Sequence, residues 1–305
     1  MTQLQVNQFS HGLLNPGIGW LLSCLGSFLG LRCLTRARAY TGRARATWLL
    51  IASVAIGGTG IWVMHFVAML GYTIPGQEIL YNVPMTVVSL VAAISVVAVG
   101  LFLVGFGDGR LASVLAGGVI MGIGVAAVHY FGMAAVSTHG TMRYNLGLVG
   151  ISVLIAVVTC AAALAAGLRV RGVWSSLGVS VIMGLAITGM HYTGMDAMRV
   201  YADGGTVISG EPPNSLLLPL LLGASVITFL LMLIIAMSPN EDEIRADASL
   251  SRRLRAGASL AVRDGIRPAE ATQPDVFAQA DVLAQAEVLA QADVLGQPDI
   301  FRTSG

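Results

Sequence analysis

Seven apolar runs, each long enough to cross a lipid bilayer, dominate this chain. They span roughly residues 16–34, 47–70, 83–105, 111–136, 146–168, 173–198 and 216–237. A helical crossing takes about 20 residues. In lipid every backbone N–H and C=O must find its partner within the protein, so a spanning segment is a helix or part of a closed barrel. Barrel strands alternate apolar and polar residues over about ten positions. These runs are continuously apolar for longer than that, and they read as helices. The predicted fold is therefore an all-α membrane protein with seven transmembrane helices. Only 11% of the residues are charged, against about 25% in soluble domains. Residues 1–15 form a polar segment outside the membrane and residues 16–237 the membrane domain. Residues 238–305 form a low-complexity tail.

Arginine placement sets the expected orientation. The connection after run one holds Arg36, Arg38, Arg43 and Arg45. Arg110 follows run three, Arg169 and Arg171 follow run five, and Arg245, Arg252, Arg253 and Arg255 follow run seven. The opposite connections hold only Arg143 and Arg199. Cytoplasmic loops are enriched in basic residues, which puts the N-terminus outside and the tail in the cytoplasm. The N-terminus has no basic region before its first apolar run, so no cleaved signal peptide is expected.

Runs two, four and six carry variants of one hexapeptide. These are Met64-His65-Phe66-Val67-Ala68-Met69, Val128-His129-Tyr130-Phe131-Gly132-Met133 and Met190-His191-Tyr192-Thr193-Gly194-Met195. The histidines recur at intervals of 64 and 62 residues. One period holds two spans, so successive copies run in the same direction: three parallel two-helix repeats. Each histidine lies some 6–8 residues before the outer end of its run, roughly 10 Å below the surface at the helical rise per residue. Gly57, Gly58 and Gly60, with Gly117, Gly118, Gly122, Gly124, Gly184, Gly189 and Gly194, let these three helices pack closely.

A histidine within a bilayer is costly and is usually functional or paired. Positions i and i+4 share a helix face, so His65 with Met69, His129 with Met133 and His191 with Met195 can face one object. Met198 would continue that face, while Met121 and Met183 lie about two turns deeper. Imidazole suits copper and thioether selects Cu(I). The scarcity of carboxylates argues against Mg²⁺ and Ca²⁺. Asp196 has two readings: an outer partner of a ligand imidazole, or an interfacial residue paired with Arg199. Phe66, Tyr130 and Tyr192 point about 100° away from the histidines and are expected between helices. Cys24, Cys33 and Cys160 share no zinc or redox spacing and read as packing residues, with Cys24 also a possible soft ligand.

The Met190-His191-Tyr192-Thr193 tetrad, repeated in degenerate form on alternate helices of a seven-span chain, resembles the MHYT-domain integral membrane sensors. The resemblance covers about residues 10–240. It implies copper at the outer membrane face, held by ligands among His65, Met69, His129, Met133, His191 and Met195. It further implies sensing of a diatomic gas (O₂, CO or NO) or of redox state, and an unknown cytoplasmic signalling partner. Copy one departs at Phe66-Val67 and copy two at Val128 and Phe131, yet every His and its i+4 Met is kept. Many relatives carry cytoplasmic cyclic-dinucleotide domains, and the chain shows no room for one.

A copper or small-solute transporter and a haem-binding redox protein are the competing readings. No nucleophile–base set, phosphate loop or carboxylate pair suggests an enzyme. No arginine cluster interleaved with aromatics suggests nucleic-acid binding. From Asp275 an acidic residue followed by an apolar pair recurs every six positions, which is no helical period; this reads as low-complexity sequence or a weak docking segment.

Overall fold

A computed structural model describes residues 2–107, 110–202, 208–239, 243, 246 and 249–251. The six-residue repeat from Asp275 lies outside the described residues. The chain divides into two compact units, Met1–Ile244 and Arg245–Gly305. The first unit holds the apolar helices.

Among the described residues, seven helices are long and apolar enough to cross a membrane. They are α1 (Leu14–Ala39), span two (Gly42–Met69), α4 (Val83–Gly105), α5 (Leu111–Ala134), α6 (Leu146–Arg169), α7 (Val173–Asp196) and α8 (Pro213–Met237). Span two is composite. It comprises α2 (Gly42–Ser53), a π-helical segment Val54–Val63 and α3 (Met64–Met69). The π segment holds Gly57, Gly58 and Gly60. Such segments concentrate at functional sites, and this one ends two residues before His65. Asn82 caps α4 by accepting from the Met85 amide at 3.0 Å. Asn145, in the corresponding place of the next copy, caps α6 by accepting from Gly147 at 2.9 Å.

Six spans close a ring: span two, α4, α5, α6, α7 and α1, each packed against the next, with α1 returning to span two. Glycine lets backbones approach. The Gly26 Cα of α1 faces the Gly60 backbone so closely that a methyl group there would overlap it. With Gly30, this forms a small-xxx-small face on α1. The three motif-bearing spans alternate with the other three around the ring. Its axis is therefore a pseudo-threefold one, as the parallel repeat requires.

The seventh span departs from that symmetry. The position between α7 and span two, where the second helix of copy three would complete the ring, is taken by α1. Helix α8 packs outside, against the π segment and α1. Only 17% of its apolar window is buried, against 83% for span two. Its polar anchors are Thr228 Oγ1 to Thr59 Oγ1 at 2.6 Å and its last-turn carbonyl of Ile235, which accepts from Arg36 Nη2 at 2.7 Å.

At the motif end, short strands roof the bundle. Strand β1 (Leu80–Tyr81) pairs with β2 (Val136–Ser137), and β3 (Gly140–Tyr144) pairs with β4 (Met198–Ala202), both antiparallel. The N-terminal segment straps across: Leu4 N donates to Val200 O at 2.8 Å, Ala202 N to Thr2 O at 2.9 Å, and Asn7 and Thr73 exchange backbone bonds. Run six is shorter than the sequence suggested. Helix α7 stops at Asp196, and Met198 begins β4, because pairing with β3 draws the chain into extended structure. Met198 is buried in that roof and does not continue the helical face.

Candidate metal centre

His65, His129 and His191 meet on the ring axis. His65 Nδ1 lies 3.1 Å from His191 Nδ1, and His129 Nδ1 lies 3.3 Å from His65 Nδ1. The three ring planes stand 86°, 90° and 89° to one another, with centroids 4.9–5.1 Å apart. This is a three-bladed arrangement with its nitrogen edges inward. All three residues are buried, at 6%, 4% and 1% exposure.

The packing behind the rings explains the angle. His65 Nε2 lies only 2.9 Å from where a Cβ on Gly132 would be. His129 Nε2 fills the same space beside Gly194. Each of these rings thus lies against the histidine-plus-three position of the next copy. The residues at that position are Ala68, Gly132 and Gly194, small in all three copies, and this signal was readable in the sequence. Among the described residues, neither His65 Nε2 nor His129 Nε2 has a hydrogen-bond partner.

A neutral imidazole has one donor and one acceptor nitrogen. Two converging Nδ1 atoms can share a proton, but a third then adds a lone pair with no proton to accept. A cation at the centre resolves this. Three nitrogens on one metal at about 2.0–2.1 Å with near-tetrahedral angles stand about 3.3–3.4 Å apart, close to the separations seen. His65, His129 and His191 are the one His/Cys/Asp/Glu cluster of metal-ligand geometry among the described residues. The donor set fits Zn²⁺, Cu or Ni equally, since imidazole accepts all of them.

The surrounding cavity measures about 10 Å³ and is walled by Ile61, Trp62, Met64, Phe66 and Met190. That is room for a single small species. Met69, Met133 and Met195 are buried in the roof-side apolar cluster with Tyr72, Tyr81 and Val200, one helical turn toward the roof. Met64 and Met190, each preceding its histidine, are the methionines lining the cavity itself. Met121 and Met183 line a second cavity of about 20 Å³ with Cys160 and Met190. The aromatic next to each histidine meets that ring edge-on, with centroids 4.8–4.9 Å apart, and makes its other contacts away from the axis. Tyr130 bonds Ser152 Oγ at 2.7 Å, Tyr192 stacks on Phe9 at 5.3 Å, and Phe66 lies against Trp62 at 4.7 Å.

Asp196 is exposed. Its Oδ1 accepts from Gln8 Nε2 at 3.0 Å, and its backbone carbonyl accepts from Arg199 Nη1 at 2.6 Å. It belongs to the roof. His11 and His139 are exposed. Burial in the roof pushes the Tyr72 and Tyr81 hydroxyls above the usual tyrosine range, in Tyr81 with a further push from Tyr72. Both are uncharged at neutral pH.

Three tandem matches to a family model, described as a bacterial signalling protein N-terminal repeat, cover residues 58–118, 122–180 and 184–242. Each match begins on a motif-bearing span and takes in the next span along the chain. The chain belongs to the MHYT family. Among its relatives is the bifunctional diguanylate cyclase/cyclic di-GMP phosphodiesterase MucR of Pseudomonas aeruginosa, 32% identical over 81% of this chain and 37% of that protein. The cyclic di-GMP phosphodiesterase NbdA of the same organism is 33% identical over 62% of this chain and 24% of its own length. The signaling protein YkoW of Bacillus subtilis is 32% identical over 60% and 23% respectively. The chain thus spans little more than a third of these relatives at most. No solved structure matches. Family, spans and repeat together make this a multi-pass membrane protein of signalling type.

Proposed function

We propose that this chain is a membrane sensor whose input site is a copper ion held by His65, His129 and His191, near the outer face of the plasma membrane. The convergence of three buried Nδ1 atoms on the axis carries the reading. A copper ion there would supply a soft, redox-active centre able to take a diatomic gas such as O₂, CO or NO. The histidines come from three copies, so anything that alters their separation alters the packing of span two, α5 and α7 together. Met69, Met133 and Met195 are proposed thioether donors from the outer side, and Met64 and Met190 can serve from the inner side. Asp196 and Met198 support the roof.

The proposed output route leaves from His65. The π segment follows span two inward, and its Thr59 bonds Thr228 of α8. Helix α8 leads to the tail, whose cytoplasmic signalling partner is unknown. We assign the chain no enzymatic activity of its own; cyclic di-GMP turnover is named for MucR and NbdA.

Transport is the second reading, favoured by the soft-lined cavity of Met121, Met183, Cys160 and Met190. Below it Leu31, Ala163 and Met183 pack with Leu34 into an apolar plug, which supports sensing over passage. The deciding experiment is metal analysis of purified full chain. About one copper per chain is expected, lost when all three histidines become Ala; unchanged copper would overturn the site. Uptake of labelled copper into vesicles would establish transport instead, and a Soret band would establish haem.

A further inference from the structure

At the end of the bundle opposite the histidines lies a cavity of about 330 Å³. Its walls are apolar, from Leu49, Leu101, Val104 and Leu164, and Arg38 and Arg45 sit at its rim. We propose that it binds one anionic phospholipid, with an acyl chain in the cavity and the phosphate on the two guanidinium groups.

Three observations carry this. First, Arg45 is held in place by neutral acceptors. Arg45 donates through Nε to Ala37 O (3.2 Å) and Tyr40 O (2.9 Å), and through Nη1 to Gly105 O (3.1 Å). Its Nη2 hydrogen-bonds no protein atom among the described residues. Arg38 Nη2 donates to Val170 O at 2.5 Å. Carbonyls fix the position of Arg45 without cancelling its charge, and a guanidinium fork suits phosphate oxygens. Second, the volume falls within the range of ligand pockets, about 300–1,000 Å³, and an apolar lining of this kind suits a hydrocarbon chain. Third, exposed apolar side chains flank the cavity lining along the chain. Gly107 lines the cavity, and its near neighbours Phe106 and Leu111 are apolar and exposed at 51% and 69%. The Arg45 guanidinium carbon stands 5.9 Å from the Phe106 ring centroid. A water-soluble anion has no use for such a wall. Basic pockets between spans on the arginine-rich side are a general means of recognising anionic lipid headgroups.

The test is native mass spectrometry of the detergent-purified full chain, titrated with phosphatidylglycerol or phosphatidylcholine of identical acyl chains. One phosphatidylglycerol per chain should be retained, with a preference of about tenfold or more. Arg38→Gln with Arg45→Gln should abolish that preference. Arg45 also ties backbone carbonyls together, so a second variant leaves both arginines intact. Gly167→Leu fills the cavity, where a Cβ meets only Leu34 at 3.0 Å, and should lower phosphatidylglycerol retention about tenfold. Equal retention of the two lipids by the wild type, or unchanged retention in Gly167→Leu, would overturn the proposal. Displacement of bound lipid by glycerol phosphate alone would reassign the cavity to a free anion. Displacement by a synthetic acidic–apolar peptide of residues 281–292 would reassign it to a peptide.

Discussion

The two ends of the bundle axis are built oppositely. At the motif end three polar rings pack so tightly that Gly132 and Gly194 have no room for a methyl group. At the arginine-rich end apolar side chains leave a cavity of about 330 Å³ under two cations. Both ends draw on helices of the same ring. The difference lies in what fills the axis: rings that need fixed geometry at one end, and a surface that leaves space at the other. Rigid placement suits a metal site, where small displacements weaken binding. An adaptable cavity suits a chain-like ligand.

The contrast breaks most readily at Gly194. In Gly194→Val a branched carbon occupies the space of the His129 ring, and metal affinity should fall about 100-fold, the upper range for disturbed outer partners, in a competition titration. Gly178→Ala on the same helix, where a Cβ meets nothing within 4 Å, should leave affinity unchanged. If both variants bind as the wild type does, the rings are not fixed by the glycines.

Replacing Met69, Met133 and Met195 together by Leu should lower Cu(I) affinity about tenfold and leave Zn²⁺ affinity unchanged, since thioether selects the softer ion. The same result from Met64→Leu with Met190→Leu instead would move the thioether role to the inner side.

Deleting residues 2–9 removes the strap over the roof. Chelator-driven metal release should then speed up several-fold at nearly constant affinity, as expected when a lid sets exchange and not binding. An unchanged rate would mean that the path to the histidines lies elsewhere.

The smallest effect is expected at the side of the ring. Thr228→Val removes the hydrogen bond to Thr59 and should cost about 0.6 kcal/mol, the average for such bonds between membrane helices, read as a lowered midpoint of thermal unfolding in detergent. Coupling between the metal site and α8 predicts a larger shift with metal bound than without it.

Much of the fold was legible from residue spacing. The three histidine–methionine hexapeptides at intervals of about 63 residues specify three parallel copies, and the histidines do meet at one depth. The boundaries of α4 matched to the residue, because Asn82 and Pro84 mark its start and Gly105 its end. The π segment was not legible. Gly57, Gly58 and Gly60 signal close packing, but whether a glycine-rich helix winds as α or π depends on what presses on it. The choice of Nδ1 as the converging nitrogen was equally hidden. It comes from His65 and His129 lodging their Nε2 edges against Gly132 and Gly194 of neighbouring copies.

The sequence by itself determined that the chain spans a membrane seven times, that it repeats, and that three histidines share one height. Those properties rest on hydrophobicity and periodicity, which are local. Tertiary structure decided that α1 and not α8 closes the ring, that Met198 belongs to a strand, and that the axis carries a tight polar cluster at one end and a cavity at the other. These depend on which surfaces approach most closely. Gly26 against Gly60 allows α1 a nearer seat on span two than the bulky side chains of α8 can reach.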